Sequence, residues 1–420
     1  MRKQWSILQK ESRKDLHGVA DIRQSCVIHS NSGSIMTVPR ENRLVRLYVQ
    51  LGETPEGKTV DRTSITSQTI LDKARPILEP YSLDFRICDW QSVYTIGQRV
   101  APRFSHLDRI FLCGDAVHTH SPTIGQGMNV SMQDAYNLGW KLGSLLERTA
   151  RPEILSTYNN ERHSVALDLI ALDKRMTDFY SNGPSDHSQE YQSFRDSFSR
   201  FLSGVDVTYR QSILVTGAQG APDASNATRI LSDSTLAPGI HIGRRMPSAR
   251  VVCQAEAAPV NLANALPSNG KWRVMVFGGD ITHSSQRNKV RNLGPPLEQL
   301  RQKYNLSTQA SRSPLEVVLV HRAKRTDFSV LDLHPVYRPW DDEVGYDYWR
   351  IFSDDAAEFE PWQPSAYDDY GIDARKGCLV VVRPDQHTAY VGPMEDAESV
   401  AGYFDAVMTT PQSVDDASTL

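Results

Sequence analysis

Near its start the chain alternates apolar and polar positions with a period of two. Ser25 to Ser30 and Ser34 to Pro39 flank a Ser32-Gly33 turn, and the run Leu44-Val45-Arg46-Leu47-Tyr48-Val49-Gln50-Leu51 follows. A strand sends successive side chains to opposite faces, so this last run is predicted to place Arg46, Tyr48 and Gln50 together on one face. The period then lengthens. Residues 66–79 read as helix, Asp84 to Tyr94 as strand, and Arg109 to Cys113 as a short apolar strand ending at Gly114-Asp115. After Gly127, apolar residues recur at Met128, Met132, Ala135, Leu138, Leu142 and Leu145, in steps of three and four that predict one buried helical face. A second helix is expected from Pro152, a favourable first-turn residue, to about Tyr180, with a polar loop over 181–190.

Gly217, Gly220, Pro222, Pro238, Gly239, Gly243 and Pro247 punctuate residues 217–248, as expected of an interdomain linker. A fresh α/β pattern lies beyond it. Strands are predicted at Trp272–Phe277 and Leu315–His321 around a helix at 286–304, then a hairpin at Leu379–Arg383 and Thr388–Val391 and a helix at 396–408. Residues 338–370 are acidic and aromatic and receive no assignment, and 411–420 reads as a frayed tail. The domains expected are therefore 1–216 and 249–420, joined by 217–248.

At 420 residues the chain is long enough for two or three domains. Its net charge of −4 offers no basic footprint for nucleic acid and no polybasic membrane patch. No apolar run approaches the roughly 20 residues that span a bilayer, and Met1 to Ala20 is charged, without the apolar core of a signal peptide. Five scattered cysteines (Cys26, Cys88, Cys113, Cys253, Cys378) without a CxxC favour reduced thiols and a cytoplasmic setting.

The candidate chemistry lies at Phe111-Leu112-Cys113-Gly114-Asp115-Ala116-Val117-His118 and Gly125-Gln126-Gly127-Met128-Asn129. A strand end carrying Asp can accept hydrogen bonds from sugar-like hydroxyls. Unpaired amides at a helix start suit an anion or an electron-rich ring edge. The spacing reads as a cofactor cradle, best suited to a flavin. His118 and His120 form an HxH pair, but no Cys or carboxylate is placed to complete a metal site, so no metal is expected.

These residues resemble a known family. Gly114–His118 with Pro122–Asn129 is similar to the second flavin-binding motif of single-component FAD-dependent aromatic hydroxylases. Ser34-Ile35-Met36-Thr37-Val38-Pro39-Arg40-Glu41 with Leu44–Leu51 narrows the resemblance to the phenol 2-monooxygenase branch. Tyr158-Asn159-Asn160-Glu161-Arg162 fits the helix after that motif. Leu379–Asp385 with Tyr390-Val391-Gly392 is similar to the branch's thioredoxin-like C-terminal domain. The resemblance implies a fold of α/β and α+β class: a partial FAD-binding hydroxylase domain with a β-rich substrate portion, then a thioredoxin-like domain.

It also implies an FAD-dependent, NADPH-using monooxygenase that adds oxygen from O2 to a phenolic or polyketide-like aromatic, and a homodimer. Asp115 would hydrogen-bond the ribityl chain; Gly125, Gln126, Gly127, Met128 and Asn129 would meet the ring edge. Tyr48 would reach both flavin and phenol, and Arg40 would lie beside the flavin. The C-terminal domain, with isolated Cys253 and Cys378 and no CxxC, would be structural or dimer-forming. One departure is large: family members hold the ADP half of FAD on a GxGxxG loop, and none occurs among these 420 residues. An alternative therefore stands beside the enzyme: a truncated non-catalytic remnant, or a partner subunit that cannot hold FAD alone.

Overall fold

The computed structural model describes residues 2–11 (as backbone), 22, 24–54, 64–182, 188–219, 230–305, 313–355 and 363–410. The predicted tail 411–420, residues 183–187 of the predicted loop and residues 220–229 of the predicted linker lie outside this set. The chain divides into two compact units, one of Met1–Asp134 with Arg162–Leu202, the other of Ala135–Glu161 with Ser203–Leu420.

The first unit is built on a five-stranded antiparallel sheet of β1 (Arg2–Glu11), β2 (Cys26–Ser30), β3 (Gly33–Pro39), β4 (Leu44–Thr54) and β5 (Cys88–Thr95), in the order β2-β3-β4-β1-β5. Strand β1 is an addition to the sequence expectation, and it occupies an interior position between β4 and β5. The alternation predicted along β4 is realised. Val45, Leu47 and Val49 are buried against α1 (Ser67–Leu78), in a cluster with Ile35, Ile70 and Ile77. Thr66 caps that helix by accepting from the Thr69 amide, and its own amide donates to the Thr69 hydroxyl in return, which fixes the N-terminus. Tyr48 points the other way, into a second cluster containing Ile96, Ile124, Val130, Leu169, Met176, Phe194 and Phe198.

Short pairings follow: β6 (Arg99–Val100) with β9 (His118–Thr119), and β7 (Ser105–His106) with β8 (Ile110–Phe111). The strand expected over 109–113 is thus reduced to β8, and every ladder of this unit among the described residues is antiparallel. The helices are α2 (Gly127–Leu146), α3 (Ser156–Asn182) and α4 (Ser188–Leu202), the last beginning inside the region expected to be loop. The unit boundaries pass through α2 and α3.

Helix α2 departs from its expected burial. Met128 and Met132 are 72% and 55% exposed, while the buried stripe in this unit is Val130 and Asp134, followed along the helix by Asn137, Leu138, Lys141 and Ser144. The reason is electrostatic: the stripe carries polar groups that find buried partners, and those pairings fix the helix's rotation more strongly than the methionines do.

The second unit opens with a short parallel pair, β10 (Gly217–Ala218) and β11 (Leu231–Ser232). Its main sheet comprises β12 (Arg250–Cys253), β13 (Pro259–Asn261), β14 (Trp272–Gly279), β15 (Leu315–His321), β18 (Ile351–Ser353), β19 (Cys378–Val382) and β20 (Thr388–Gly392). The order is β13-β12-β18-β15-β14-β19-β20, and a separate hairpin is formed by β16 (Trp340–Asp341) and β17 (Gly345–Tyr346). Strands β14 and β15 are parallel, joined across α6 (Ser284–Lys303); β19 and β20 add antiparallel strands before α8 (Ala397–Val407). Two short helices, α5 (Leu262–Ala265) and α7 (Ala366–Tyr370), cover one face. All residues of β14 are buried, as expected for a strand covered on both faces. Trp272 anchors one layer, meeting Trp140, Tyr403 and Phe404 edge-on at 5.8, 5.8 and 5.7 Å.

A buried ionic cluster links β19 and the turn after it to the parts of α2 and α3 in this unit. Arg383 donates to both oxygens of Glu161 at 2.6 and 3.0 Å and to Asp385 at 3.0 and 2.7 Å, between the rings of Trp140 and Tyr209. Lys141 donates to Glu161 at 2.7 Å and to Asn137 at 2.8 Å. Burial alone would push the Glu161 carboxyl up, but Arg383 and then Lys141 override it and bring it to about 2. Burial lowers Lys141 to about 8, with Glu161 opposing.

Two outcomes are expected. Trp272→Ala empties the centre of an aromatic layer and should cost about 3–5 kcal/mol in urea unfolding of the full chain. Glu161 is held below its ordinary value, so its stabilisation is complete above about pH 4.5 and is lost as the pH falls towards 2. Glu161→Gln should therefore cost about 3–5 kcal/mol at neutral pH, by leaving Arg383 and Lys141 undercompensated, and flatten the acid limb of thermal midpoint against pH.

Candidate flavin site

The Gly114–His118 segment is held from below by one carboxylate. Asp134, fully buried on α2, accepts from the Gly114 amide at 3.1 Å, from His118 Nε2 at 2.9 Å and from Arg162 Nε on α3 at 2.6 Å. Burial works against its ionisation; His118 and Arg162 more than compensate, and its carboxyl sits below the usual range. Gly114 has φ +58°, and a Cβ there would lie 2.8 Å from Ser131 Oγ, so only glycine lets this turn approach α2. Ser131 in turn donates to the Gly127 carbonyl at 2.8 Å. The turn bearing Asp115 is thereby set against the first turn of α2.

The loop between them is anchored separately. Asp173 on α3 accepts from the Ser121 amide at 2.8 Å, from the Ser121 hydroxyl, and from Gln98 Nε2 at 2.8 Å. His120 Nδ1 bonds the Ser121 carbonyl at 2.8 Å. Both histidines of the HxH pair thus serve as loop hydrogen-bonders.

Against this background of paired groups, Asp115 and the amides at the start of α2 are uncommitted. Asp115 is exposed on its turn, and its carboxylate accepts no hydrogen bond among the described residues. Gly125 has φ +64°, and a Cβ there would meet nothing within 4 Å, so open space lies over it. The first hydrogen bond of α2 runs from the Val130 amide to the Gln126 carbonyl at 2.9 Å. The amides of Gly127, Met128 and Asn129 precede it and have no helical carbonyl to meet. Gln126 is buried and Oε1 accepts from Asn129 at 3.4 Å.

Tyr48 is half-buried, and its hydroxyl has no partner among the described residues. It packs in the cluster that holds Ile124 and Val130, the residues on either side of Gly125–Asn129. The structure thereby brings together the β4 tyrosine and the helix-start loop. Arg40 lies in the turn before β4, with its guanidinium on Glu41 at 2.9 Å. On the Tyr48 face of β4, Arg46 Nε is buried without a partner among the described residues. The bracing residues Asp134 and Asp173 were not assigned from sequence; the one available signal was an Asp on a helix face whose neighbours are apolar.

The residues present fit the ribityl and ring portion of a flavin: a free carboxylate, open space over a positive-φ glycine, and helix-start amides without a helical carbonyl. Comparison with known proteins agrees. A family model described as an FAD binding domain matches residues 6–173, and one described as the phenol hydroxylase C-terminal dimerisation domain matches residues 207–412. The chain is 37% identical over 411 residues to the phenol 2-monooxygenase fsqG of Aspergillus fumigatus, covering 98% of this chain and 66% of that protein. It is 31% identical over 386 residues to the FAD-dependent monooxygenase hkm7 of Aspergillus hancockii, covering 91% and 68%. The chain belongs to the FAD-dependent aromatic monooxygenases. It is also 33% identical to the 3-hydroxybenzoate 4-monooxygenase of Comamonas testosteroni, covering 92% of this chain and 62% of that one. Aklavinone-11 hydroxylase, solved with FAD and aklavinone, shares the fold with TM-score 0.60 at 18% identity, covering 97% of this chain and 62% of that one. The chain spans just under two thirds of the length of the fsqG and Comamonas relatives.

In this chain, Asp134→Ala should cost about 3–5 kcal/mol, because it removes the carboxylate that Arg162 donates to in the interior. Asp134→Asn keeps the shape and part of the bonding and should cost less. Chemical denaturation of both variants beside the wild type checks the order.

Proposed function

We propose that this chain forms the ribityl and ring side of the flavin site in an FAD-dependent, NADPH-using monooxygenase that hydroxylates a phenolic or polyketide-like aromatic. The reading is supported by the packing of Tyr48 against the cluster that includes Ile124 and Val130, by the free Asp115 carboxylate, and by the α2 amides that have no helical carbonyl to meet. Asp115 accepts hydrogen bonds from ribityl hydroxyls. The amides of Gly127, Met128 and Asn129 face the electron-rich edge of the ring, where negative charge is favoured by the helix N-terminus. The flavin, when bound, supplies the redox chemistry. The Tyr48 hydroxyl orients the substrate's phenolic oxygen, and Arg40 is the cation assigned to the flavin's neighbourhood. The cytoplasm is the compartment we propose; no helix among the described residues is long and apolar enough to cross a membrane. The β14-α6-β15 and β19-β20-α8 succession supports a thioredoxin-like reading of residues 249–420, which pair two copies into a homodimer.

A second reading is favoured by individual exposed apolar side chains. Ile110 is 60% exposed, and Leu112, Met128 and Met132 are exposed with it. Together with the absence of a GxGxxG from the 420 residues, this supports a chain that holds FAD weakly until a glycine-rich phosphate-binding segment is supplied. Forgoing about 4 kcal/mol of pyrophosphate and adenosine contacts would weaken binding about a thousandfold.

The purified chain should accordingly come without a stoichiometric flavin band, and titration with FAD should show weak binding that Asp115→Ala weakens further. Stoichiometric flavin with phenol-dependent NADPH oxidation would overturn the weak-binding reading while leaving the site assignment intact. FAD binding indifferent to both Asp115→Ala and Gly125→Val would overturn the site assignment itself.

A further inference from the structure

Residues of β15 and β18, the β16–β17 hairpin and the segment before β14 wall a cavity of about 360 Å³. That volume falls within the ~300–1,000 Å³ range of small-molecule sites. Every lining residue belongs to the second unit. Leu266, Val318 and Phe352, all buried, close its depth; Val344, Tyr346 and Trp349, all exposed, stand on its solvent side. The walls are held in place by the protein itself. The Tyr346 ring meets Trp340 edge-on at 4.9 Å and lies under the Arg338 guanidinium at 5.0 Å. Arg273 pins the segment before β14 by donating to the Pro267 carbonyl and to Asn269 Oδ1.

The polar part of the lining is charged but balanced. Glu316, Asp341 and Asp347 bring carboxylates; Lys271 and Arg350 bring cations, and Arg273, which shares Glu316 at 3.1 Å, brings a third. Glu316 also answers Lys271 at 3.4 Å and Arg350 at 2.8 Å, and Arg350 reaches Asp347 at 2.6 Å. Burial opposes ionisation of Glu316, but Arg350 and then Arg273 outweigh it and hold the carboxyl below its usual range. A set with no net formal charge gives an entering ion little Coulomb gain to offset its desolvation. The hollow therefore disfavours anions and cations alike. It offers instead apolar and aromatic surface with one uncommitted donor. Nε and Nη1 of Arg350 are engaged, while Nη2 has no partner among the described residues.

We propose that this cavity binds a neutral aromatic molecule carrying a hydroxyl or carbonyl oxygen. Its ring lies against Tyr346 and Trp349, where ring–ring contact adds to apolar burial. Its oxygen accepts from Arg350 Nη2, a charge-assisted bond that needs no charge on the ligand. The inference does not rest on the flavin reading, because no lining residue comes from the unit that carries Asp115 and Gly125–Asn129.

The test is fluorine NMR of the full chain labelled with 5-fluorotryptophan, titrated with 2-naphthol. Trp349→Phe, at a solvent-facing position, assigns the Trp349 resonance by removing it. That resonance should move saturably with 2-naphthol. Naphthalene, 2-naphthoate and 2-naphthylmethylammonium should each bind about tenfold more weakly, the first for lack of an acceptor and the other two for their charge. Arg350→Met, with its other tryptophan resonances unmoved, should bind 2-naphthol and naphthalene equally. The readout sits at Trp349, so it is indifferent to whether the chain holds FAD. A Trp349 resonance that stays still, or either ion binding as tightly as 2-naphthol, would overturn the proposal. So would a folded Arg350→Met that still prefers 2-naphthol to naphthalene.

Discussion

A buried carboxylate can stay ionised only if donors surround it, and Asp134 obliges three parts of the chain to supply them. The Gly114 amide, the His118 ring and the Arg162 guanidinium converge on its two oxygens. Each donor fixes something different. The amide fixes where the Gly114–Ala116 turn ends, the imidazole fixes the short strand after it, and the guanidinium fixes the face that α3 presents. The exposed position of Asp115 follows from these bonds, because its neighbour on the turn is bolted down. A carboxylate on a mobile turn could not present one orientation to a ligand.

The same rule operates one residue earlier on α3. Glu161 joins Arg383, Lys141 and Asp385 in a set whose opposite charges nearly balance, two carboxylates against two cations. Buried sets of this kind contribute less to net stability than their Coulomb energies suggest, but removing one member is costly, so they fix geometry. Helix α2 serves both clusters through Asp134, Asn137 and Lys141, three and four residues apart. That spacing is a helical stripe, and it is polar. The apolar stripe of Met128 and Met132 is consequently turned outward, which explains why a periodicity that reads as core becomes surface here.

Much of the fold was legible because it rests on local rules. Strand alternation at Val45, Leu47 and Val49, the turn at Gly33, the run of β-formers in β14 and the hairpin after Val382 are each stated by adjacent residues. The candidate site was legible at Asp115 and Gly125–Asn129 for a similar reason: a strand end, a glycine pair and a helix start lie in sequence order. The bracing pairs were not. Asp134 finds Gly114 twenty residues away, Asp173 finds Ser121 across fifty-two, and Glu161 finds Arg383 across two hundred and twenty-two. No periodicity records which buried charge answers which. Strand β1 was missed because Arg2–Glu11 is largely polar, and its pairing depends on neighbours far along the chain.

That missed strand bears on the chemistry. Side chains alternate along β4, so a slip of one residue would send Tyr48 to the α1 side and bring Leu47 or Val49 to the side of the cluster that holds Ile124 and Val130. The register of β4 is set on one edge by β3, where Met36 faces Tyr48, and on the other by β1, where Ile7 does. With β1 in place β4 is an interior strand and both of its edges are paired. The position of the one tyrosine hydroxyl proposed to meet substrate is therefore set by backbone pairing to β3 and to Arg2–Glu11 together, and the latter segment carries no candidate catalytic group of its own.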